Sequence, residues 1–226
     1  MGNCRSIQVS PLVSGKRKSS SSFPPVIATH SRFCRPQGVQ KLRIKDSETA
    51  RNLKIHDATS IQNEGDLMFR CGRGLAFSTL LDAKCEPIAN IKRVTPRIHT
   101  AYLGSDSSLA LIQIYVKFGE WCSQEDYYSD IDLRVYFQDA IPELTHCMIS
   151  LEGNWHSHDA VFWLNYGKST SQRDAIARVV RLRERYPGGY IVEIVPNVDA
   201  ALVLLLCLLL DDAVREQKST ESHSRR

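Results

Sequence analysis

The chain has 226 residues, of which 42% are apolar and 24% charged, as is ordinary for a globular protein with a substantial core. Its net charge of +4 is unevenly distributed, because residues 1–45 hold nine Lys or Arg and no acidic residue. Residues 46–226 hold twenty basic and twenty-five acidic residues, a net charge of −5, and show no basic face interleaved with aromatics. This part of the chain is therefore predicted to have no nucleic-acid partner.

Residues 1–45 are predicted to form a flexible basic arm. They contain four consecutive serines at 19–22, four prolines and few apolar clusters, a composition typical of solvated, unfolded segments. The same composition also describes an organelle transit peptide that is cleaved on import. A third interpretation is a membrane tether, which depends on the first residues of the chain.

The N-terminal sequence MGNCRS predicts acylation. Removal of Met1 would expose Gly2 for N-myristoylation, and Cys4 is placed for S-palmitoylation. A single myristoyl chain binds membranes only marginally, so stable attachment needs a second acyl chain or a basic cluster that attracts anionic lipid. The arm offers such a cluster at Lys16, Arg17 and Lys18.

After residue 50 the sequence changes to short apolar runs separated by turn residues, and we predict a barrel domain over residues 46–216. Gly, Asp, Asn and Pro separate the runs at intervals of about ten residues, which is typical of all-β proteins. Ten strands are predicted in this region, at 66–71, 75–82, 87–94, 99–104, 109–118, 130–137, 145–153, 160–167, 175–183 and 190–196.

The sequence PNVDAALVLLLCLLLDDAV at 196–214 predicts a helix over residues 198–215, with Asn197 or Asp199 accepting hydrogen bonds from its first amides. Its apolar run is too short to cross a bilayer, which needs about 20 apolar residues. The helix is apolar on all sides and must be covered all round, so we predict that it fills a closed barrel of about ten to twelve strands. The predicted core positions are Leu202, Leu205, Leu206 and Leu209. Residues 217–226 are predicted to be a disordered polar tail.

These segments resemble the LURP-one-related family, which belongs to the tubby C-terminal-like group together with the phospholipid scramblases. The most specific similarity is PNVDAALVLLLCLLLDD, and weaker ones precede it in the expected order: LMFRCGRG, LLDAKCEPIANIKR, LGSDSS, HCMISLEGNW and DAIARVVR. The resemblance implies a mainly β fold, a twelve-stranded antiparallel barrel around a C-terminal apolar helix. The acidic segment EWCSQEDYYSD at 120–130 departs from the family pattern by its length.

The sequence contains no motif of a hydrolase, a zinc protease, a redox dithiol or a nucleotide-binding loop, so we predict no enzyme activity and no cofactor. His156 and His158 are interpreted as surface residues and not as metal ligands, since no third ligand stands nearby. The seven cysteines lack paired spacing, which indicates free thiols in an intracellular protein. If residues 178–185 are extended, one face carries three arginines, Arg181, Arg183 and Arg185. They either bind a phosphoinositide head group or are ordinary solvent-exposed residues.

The sequence thus predicts a non-enzymatic binding module at the cytoplasmic face of a membrane, with anionic lipid or a further protein as its partner and without a transmembrane span. The resemblance implies a role in stress or defence signalling. A first alternative, implied by the kinship with scramblases, is transfer of phospholipid between leaflets. A second alternative is an interaction protein that is soluble in the cytosol or imported into an organelle.

Overall fold

A computed structural model describes residues 25–45, 52–58, 65–73, 77–118, 131–167, 172–182 and 189–224. Short 3-10 turns occur at Ser31–Phe33 and Pro142–Leu144, and one long helix, α1 (Ala200–Ser224), ends the described chain. The strands are β1 (Gln40–Lys45), β2 (Asn52–Asp57), β3 (Leu67–Arg73), β4 (Phe77–Asp82), β5 (Pro87–Thr95), β6 (Ile98–Leu103), β7 (Ala110–Phe118), β8 (Ile131–Phe137), β9 (Cys147–Asn154), β10 (Asp159–Tyr166), β11 (Arg173–Arg181) and β12 (Gly189–Ile194).

The strands form one closed antiparallel barrel in which every strand pairs with its neighbour in sequence. Closure is made by β1 and β12, whose register runs from Gln40 opposite Ile194 to Lys45 opposite Gly189. A closed barrel leaves no edge strand with unpaired backbone groups, which removes a common route to aggregation. The predicted fold class, a mainly β barrel of about twelve strands around an apolar helix, is confirmed.

Strand β8 shows how the sequence positions its side chains on the two faces of the wall. Burial alternates residue by residue from Ile131 to Phe137, with the aliphatic side chains and Phe137 inside. The intervening Asp132, Arg134 and Tyr136 are exposed on the outer wall. The alternation follows from the two-residue period of an extended chain.

The first part of α1 is surrounded by protein on every side. All eleven residues from Ala200 to Leu210 are buried, with exposed fractions of 5% or less. They belong to the same apolar core as the inward side chains of the strands. The positions predicted for this core lie within it: Leu202, Leu205, Leu206 and Leu209.

The structure corrects the predicted start of the barrel. Residues 40–45, predicted as part of the flexible arm, form β1, and Val26 is fully buried. Strand β2, at Asn52–Asp57, was not predicted either. Both strands alternate apolar residues with Lys, Arg or His, so each shows only two apolar residues in six. Such a pattern is too weak to identify without the pairing partner.

The C-terminal boundary is also corrected. Helix α1 begins at Ala200 and continues to Ser224, whereas the sequence predicted a helix over 198–215 and a disordered tail from residue 217. The extension begins with Glu216, Gln217 and Lys218, which are residues of high helix propensity. The polar composition of residues 216–224 led to the predicted tail, but a polar segment can continue a helix.

Candidate functional site: a cationic groove on the barrel wall

The two ends of the barrel are named here after the aspartates that flank the apolar helix. Asp199 precedes α1 at one end, and Asp211 stands where α1 leaves the barrel at the other. The β9–β10 and β11–β12 hairpins lie at the Asp211 end, because Trp155 and Tyr190 both donate hydrogen bonds to Asp211. The β5–β6 hairpin lies there too, since Arg93 of β5 pairs with Glu216 of α1 at 2.7 Å.

At the Asp199 end, the N-terminal segment is bound to the start of the helix. Oδ2 of Asp199 accepts hydrogen bonds from the backbone amides of Ala28 (3.1 Å) and Thr29 (2.6 Å) and from the Thr29 hydroxyl (2.8 Å). Oδ1 accepts from the amides of Ala201 (2.9 Å) and Leu202 (3.4 Å), so Asp199 is also the N-cap of α1. This carboxyl group therefore joins residues 26–29 to the central helix.

Burial raises the pKa of several ionisable groups in and beside the core. Asp199 is fully buried, and the loss of solvation raises the pKa of its carboxyl group, although four hydrogen bonds from Ala28, Thr29 and Leu202 partly oppose the shift. Burial, with a smaller contribution from Asp199, raises the pKa of the Cys34 thiol to about 12. Burial also raises the pKa of the Cys207 thiol, so both thiols stay protonated near neutral pH and are poor nucleophiles.

At the Asp211 end, aromatic side chains gather around the carboxylate of Asp211. Trp155 Nε1 donates to it at 3.2 Å and the Tyr190 hydroxyl at 2.8 Å. The His158 ring stacks on Tyr190 with ring centres 4.3 Å apart, and its side chain is only 19% exposed. The interpretation of His158 as a surface residue is therefore wrong, because it packs at the mouth through which the helix leaves.

The outer wall carries a groove between β7 and β8, with a volume of about 660 Å³. Outward side chains alternate along both strands and are paired across them: Gln113 with Tyr136, Tyr115 with Arg134, and Lys117 with Asp132. Arg97, from the turn between β5 and β6, completes the lining at the Asp211 end.

Two exposed tyrosines form the aromatic part of this groove. The rings of Tyr115 and Tyr136 meet edge to face with centres 5.7 Å apart, and they are 37% and 39% exposed. Both phenol groups remain within reach of a ligand, and the Tyr115 hydroxyl lies 3.4 Å from Gln113 Oε1. Tyrosines of this kind supply rigid contact area together with a hydrogen-bonding hydroxyl.

The charges of the groove are unbalanced. Arg134 is neutralised by a two-point contact with Asp132, at 2.9 Å and 3.1 Å, and this bond raises the pKa of the guanidinium. Arg97 and Lys117, by contrast, have no carboxylate within ion-pair distance among the residues that the structure describes. Two uncompensated cations beside two tyrosine hydroxyls favour the binding of an anion.

Sequence reasoning did not predict this groove. The two strands were predicted at 109–118 and 130–137, and their alternation identifies the outward residues. Their pairing across the wall, and the approach of Arg97 from a separate hairpin, arise only from the folded register.

The predicted sites are only partly covered by the structure. Arg181 is exposed at the end of β11, near the Asp211 end, whereas Arg183 and Arg185 lie outside the described residues. The acidic segment 120–130 also lies outside the described residues. So do the predicted acylation sites and the basic cluster of the arm: Gly2, Cys4, Lys16, Arg17 and Lys18. Within the described part of the chain, no group of three or more His, Cys, Asp or Glu is placed to hold a metal ion.

Comparison with known protein families identifies the family of this chain. The sequence pattern of the LURP-one-related family matches residues 40–211 of this chain. The chain belongs to the LURP-one-related family. The matched region begins with β1 and ends at Asp211, so it coincides with the barrel and the enclosed part of its helix.

Solved structures show the same fold for this LURP-one-related chain. An X-ray structure of a protein from Arabidopsis thaliana is 19% identical, covers 82% of this chain and 97% of that protein, and has a TM-score of 0.56. At this identity the similarity establishes the fold, a tubby-like barrel. A search of curated proteins found no match. Among the described helices, none has the length and apolarity needed to cross a membrane.

Proposed function

We propose that this LURP-one-related protein is a non-enzymatic module that binds anionic lipid at the cytoplasmic face of a membrane, with a phosphoinositide head group in the groove between β7 and β8. The observation that carries the proposal is the pair of cations, Arg97 and Lys117, that lie beside Tyr115 and Tyr136 and have no ion-pair partner among the described residues. Such a module would serve stress or defence signalling, the role that the resemblance to the family implies.

The chemistry of the groove suits a phosphorylated sugar alcohol. Guanidinium and ammonium groups bind phosphate oxygens through charge-assisted hydrogen bonds, each worth about 1.5–3 kcal/mol. Tyrosine hydroxyls and the Gln113 amide can bond the ring hydroxyls of inositol. Arg181, exposed at the same end of the barrel, adds attraction to the surrounding anionic leaflet, at about 1 kcal/mol per basic residue.

The N-terminal arm would supply the second attachment. Acyl chains on Gly2 and Cys4, assisted by Lys16, Arg17 and Lys18, would hold the protein at the bilayer. The arm enters the barrel at Val26, which pairs with Val198 at the Asp199 end, far from Arg97. The 24 residues from Gly2 to Pro25 can span up to about 80 Å when extended, so the tether leaves the groove free to reach the membrane.

We expect the double variant Arg97→Gln/Lys117→Gln to lower binding to phosphoinositide vesicles at least tenfold, because the groove then loses two of the three cations that line it. The measurement is co-sedimentation of unacylated protein with phosphatidylcholine vesicles that contain phosphatidylinositol bisphosphate. The control is Lys54→Gln/Lys84→Gln, which removes the same charge from exposed positions outside the groove. Equal loss in both double variants would mean that only net charge matters, and the groove assignment would be wrong.

The tether has a separate test. We expect protein purified from its own cells to carry a myristoyl adduct by intact-mass spectrometry, and Gly2→Ala to lack it because only an N-terminal glycine is acylated. Loss of the adduct should shift the protein from the membrane fraction to the soluble fraction. A mass showing that the first thirty or so residues were removed would contradict the tether and indicate organelle import.

A further inference from the structure

The tip of the β5–β6 hairpin presents an apolar side chain to solvent. Val94 is 59% exposed, the largest exposed fraction among the large hydrophobic side chains in the described part of the chain. Its exposure arises from an irregularity in the ladder, since Arg93 pairs with His99 and Thr95 with Ile98, which leaves Val94 without a partner. A bulge of this kind redirects a side chain away from the sheet.

The tip is held in a defined shape. The Thr95 hydroxyl accepts hydrogen bonds from the amides of Arg97 (3.3 Å) and Ile98 (3.1 Å), which close the two-residue turn formed by Pro96 and Arg97. Proline at this place restricts the backbone further. Presenting Val94 therefore requires little additional ordering when a partner arrives.

The tip is continuous with the groove. Arg97 belongs to the turn and also lines the groove, so Val94 lies three residues from one of the cations of the groove. On the other side Arg93 is exposed but neutralised by Glu216 at 2.7 Å, so the net positive charge beside the tip comes from Arg97. A single exposed valine is common on protein surfaces, and what sets Val94 apart is this cationic border.

We propose that the β5–β6 tip is a membrane-contact element, in which Val94 enters the boundary between head groups and acyl chains while the groove holds a head group. The inference rests on the proposed function and extends it by committing the ligand to a bilayer. An apolar residue that borders a cationic groove matches the layered chemistry of an anionic membrane surface, with apolar chains beneath negative phosphates.

The test compares Val94→Ser with Leu109→Ser in unacylated protein. Leu109 is 44% exposed beside the β6–β7 turn, which lies at the Asp199 end, and serves as the matched control. We expect Val94→Ser to weaken binding to phosphatidylinositol bisphosphate vesicles roughly fivefold, the factor for about half a valine side chain leaving water. Leu109→Ser should bind the vesicles as the wild type does.

A second readout separates this inference from the proposed function. Val94→Trp should show added fluorescence quenching by brominated lipid, relative to wild type and to Leu109→Trp, while binding of soluble inositol trisphosphate stays unchanged in Val94→Ser. If inositol trisphosphate binds but the Val94 variants change neither vesicle binding nor quenching, the membrane-contact element is wrong and the head-group site in the groove stands. Quenching of Val94→Trp without binding of the soluble ligand would support the contact element and reject the head-group site.

Discussion

We expect Leu206→Asp to abolish folding of the barrel. Leu206 is fully buried near the middle of the enclosed helix segment, where the surroundings are other apolar side chains. An unpaired carboxylate there costs several kcal/mol, and the lost leucine contacts add about 2–5 kcal/mol. Together these approach or exceed the total stability of a domain, about 5–15 kcal/mol. Thermal unfolding followed by circular dichroism should therefore show no cooperative transition.

Leu206→Met is the control for this experiment. It keeps an apolar side chain of similar volume, so the free energy of unfolding should fall by less than about 1.5 kcal/mol. A soluble Leu206→Asp protein that unfolds cooperatively would contradict the enclosure of the helix, because a wet position tolerates aspartate.

We expect Asp199→Asn to lower the free energy of unfolding by about 2–4 kcal/mol, since each buried donor left unpaired costs about 1–3 kcal/mol. Both oxygens of Asp199 accept only from N–H or O–H donors, and an asparagine must turn its NH₂ group toward some of them. Chemical denaturation measures the loss. Asp139→Asn, at an exposed position, should stay within about 0.5 kcal/mol of wild type.

The pH dependence of this site should have the opposite sign to that of an ordinary ion-paired carboxylate. Burial raises the folded-state pKa of Asp199 above 3.8, so the folded protein binds this proton more tightly than the unfolded chain. The ionised group therefore reduces stability above the folded-state pKa, and this penalty is relieved as the pH falls through that pKa toward 3.8. Wild type should gain stability relative to Asp199→Asn as the pH falls from neutral to about 4.

A stability difference between wild type and Asp199→Asn that is constant over this pH range would show that Asp199 has the same pKa in the folded and unfolded states.

Asp106 illustrates the ordinary case on the same molecule. Hydrogen bonds from Ser108 lower the pKa of this exposed carboxyl group, so any contribution from Asp106 declines on acidification. Subtracting the profile of the Asp199→Asn variant from that of wild type removes this background.

The predictable parts of the fold are those with a strong local pattern. Strand β8 was predicted because aliphatic residues alternate with Asp132, Arg134 and Tyr136 along its whole length. Strand β1 was missed because Lys41, Arg43 and Lys45 leave only Leu42 and Ile44 as apolar signals. Its role in closing the barrel against β12 depends on residues about 150 positions away in the chain, a separation that no local window can reveal.

The same contrast holds for the sites. Asp199 was predicted as a candidate N-cap from its place before an apolar helix, and it does accept from the amides of Ala201 and Leu202. Its bonds to Ala28 and Thr29 were not predicted, because they join segments 170 and 171 residues apart. Those bonds are the reason that part of the basic arm belongs to the domain.

The amino-acid pattern of α1 requires that a helix apolar on every side be enclosed, because no single sheet face could cover it. From that requirement and the number of predicted strands, a closed barrel follows. The tertiary structure alone decided which outer side chains meet, since register and closure are set by pairing between distant segments. Arg97, Lys117, Tyr115 and Tyr136 form one groove for this reason, although no local pattern connects them.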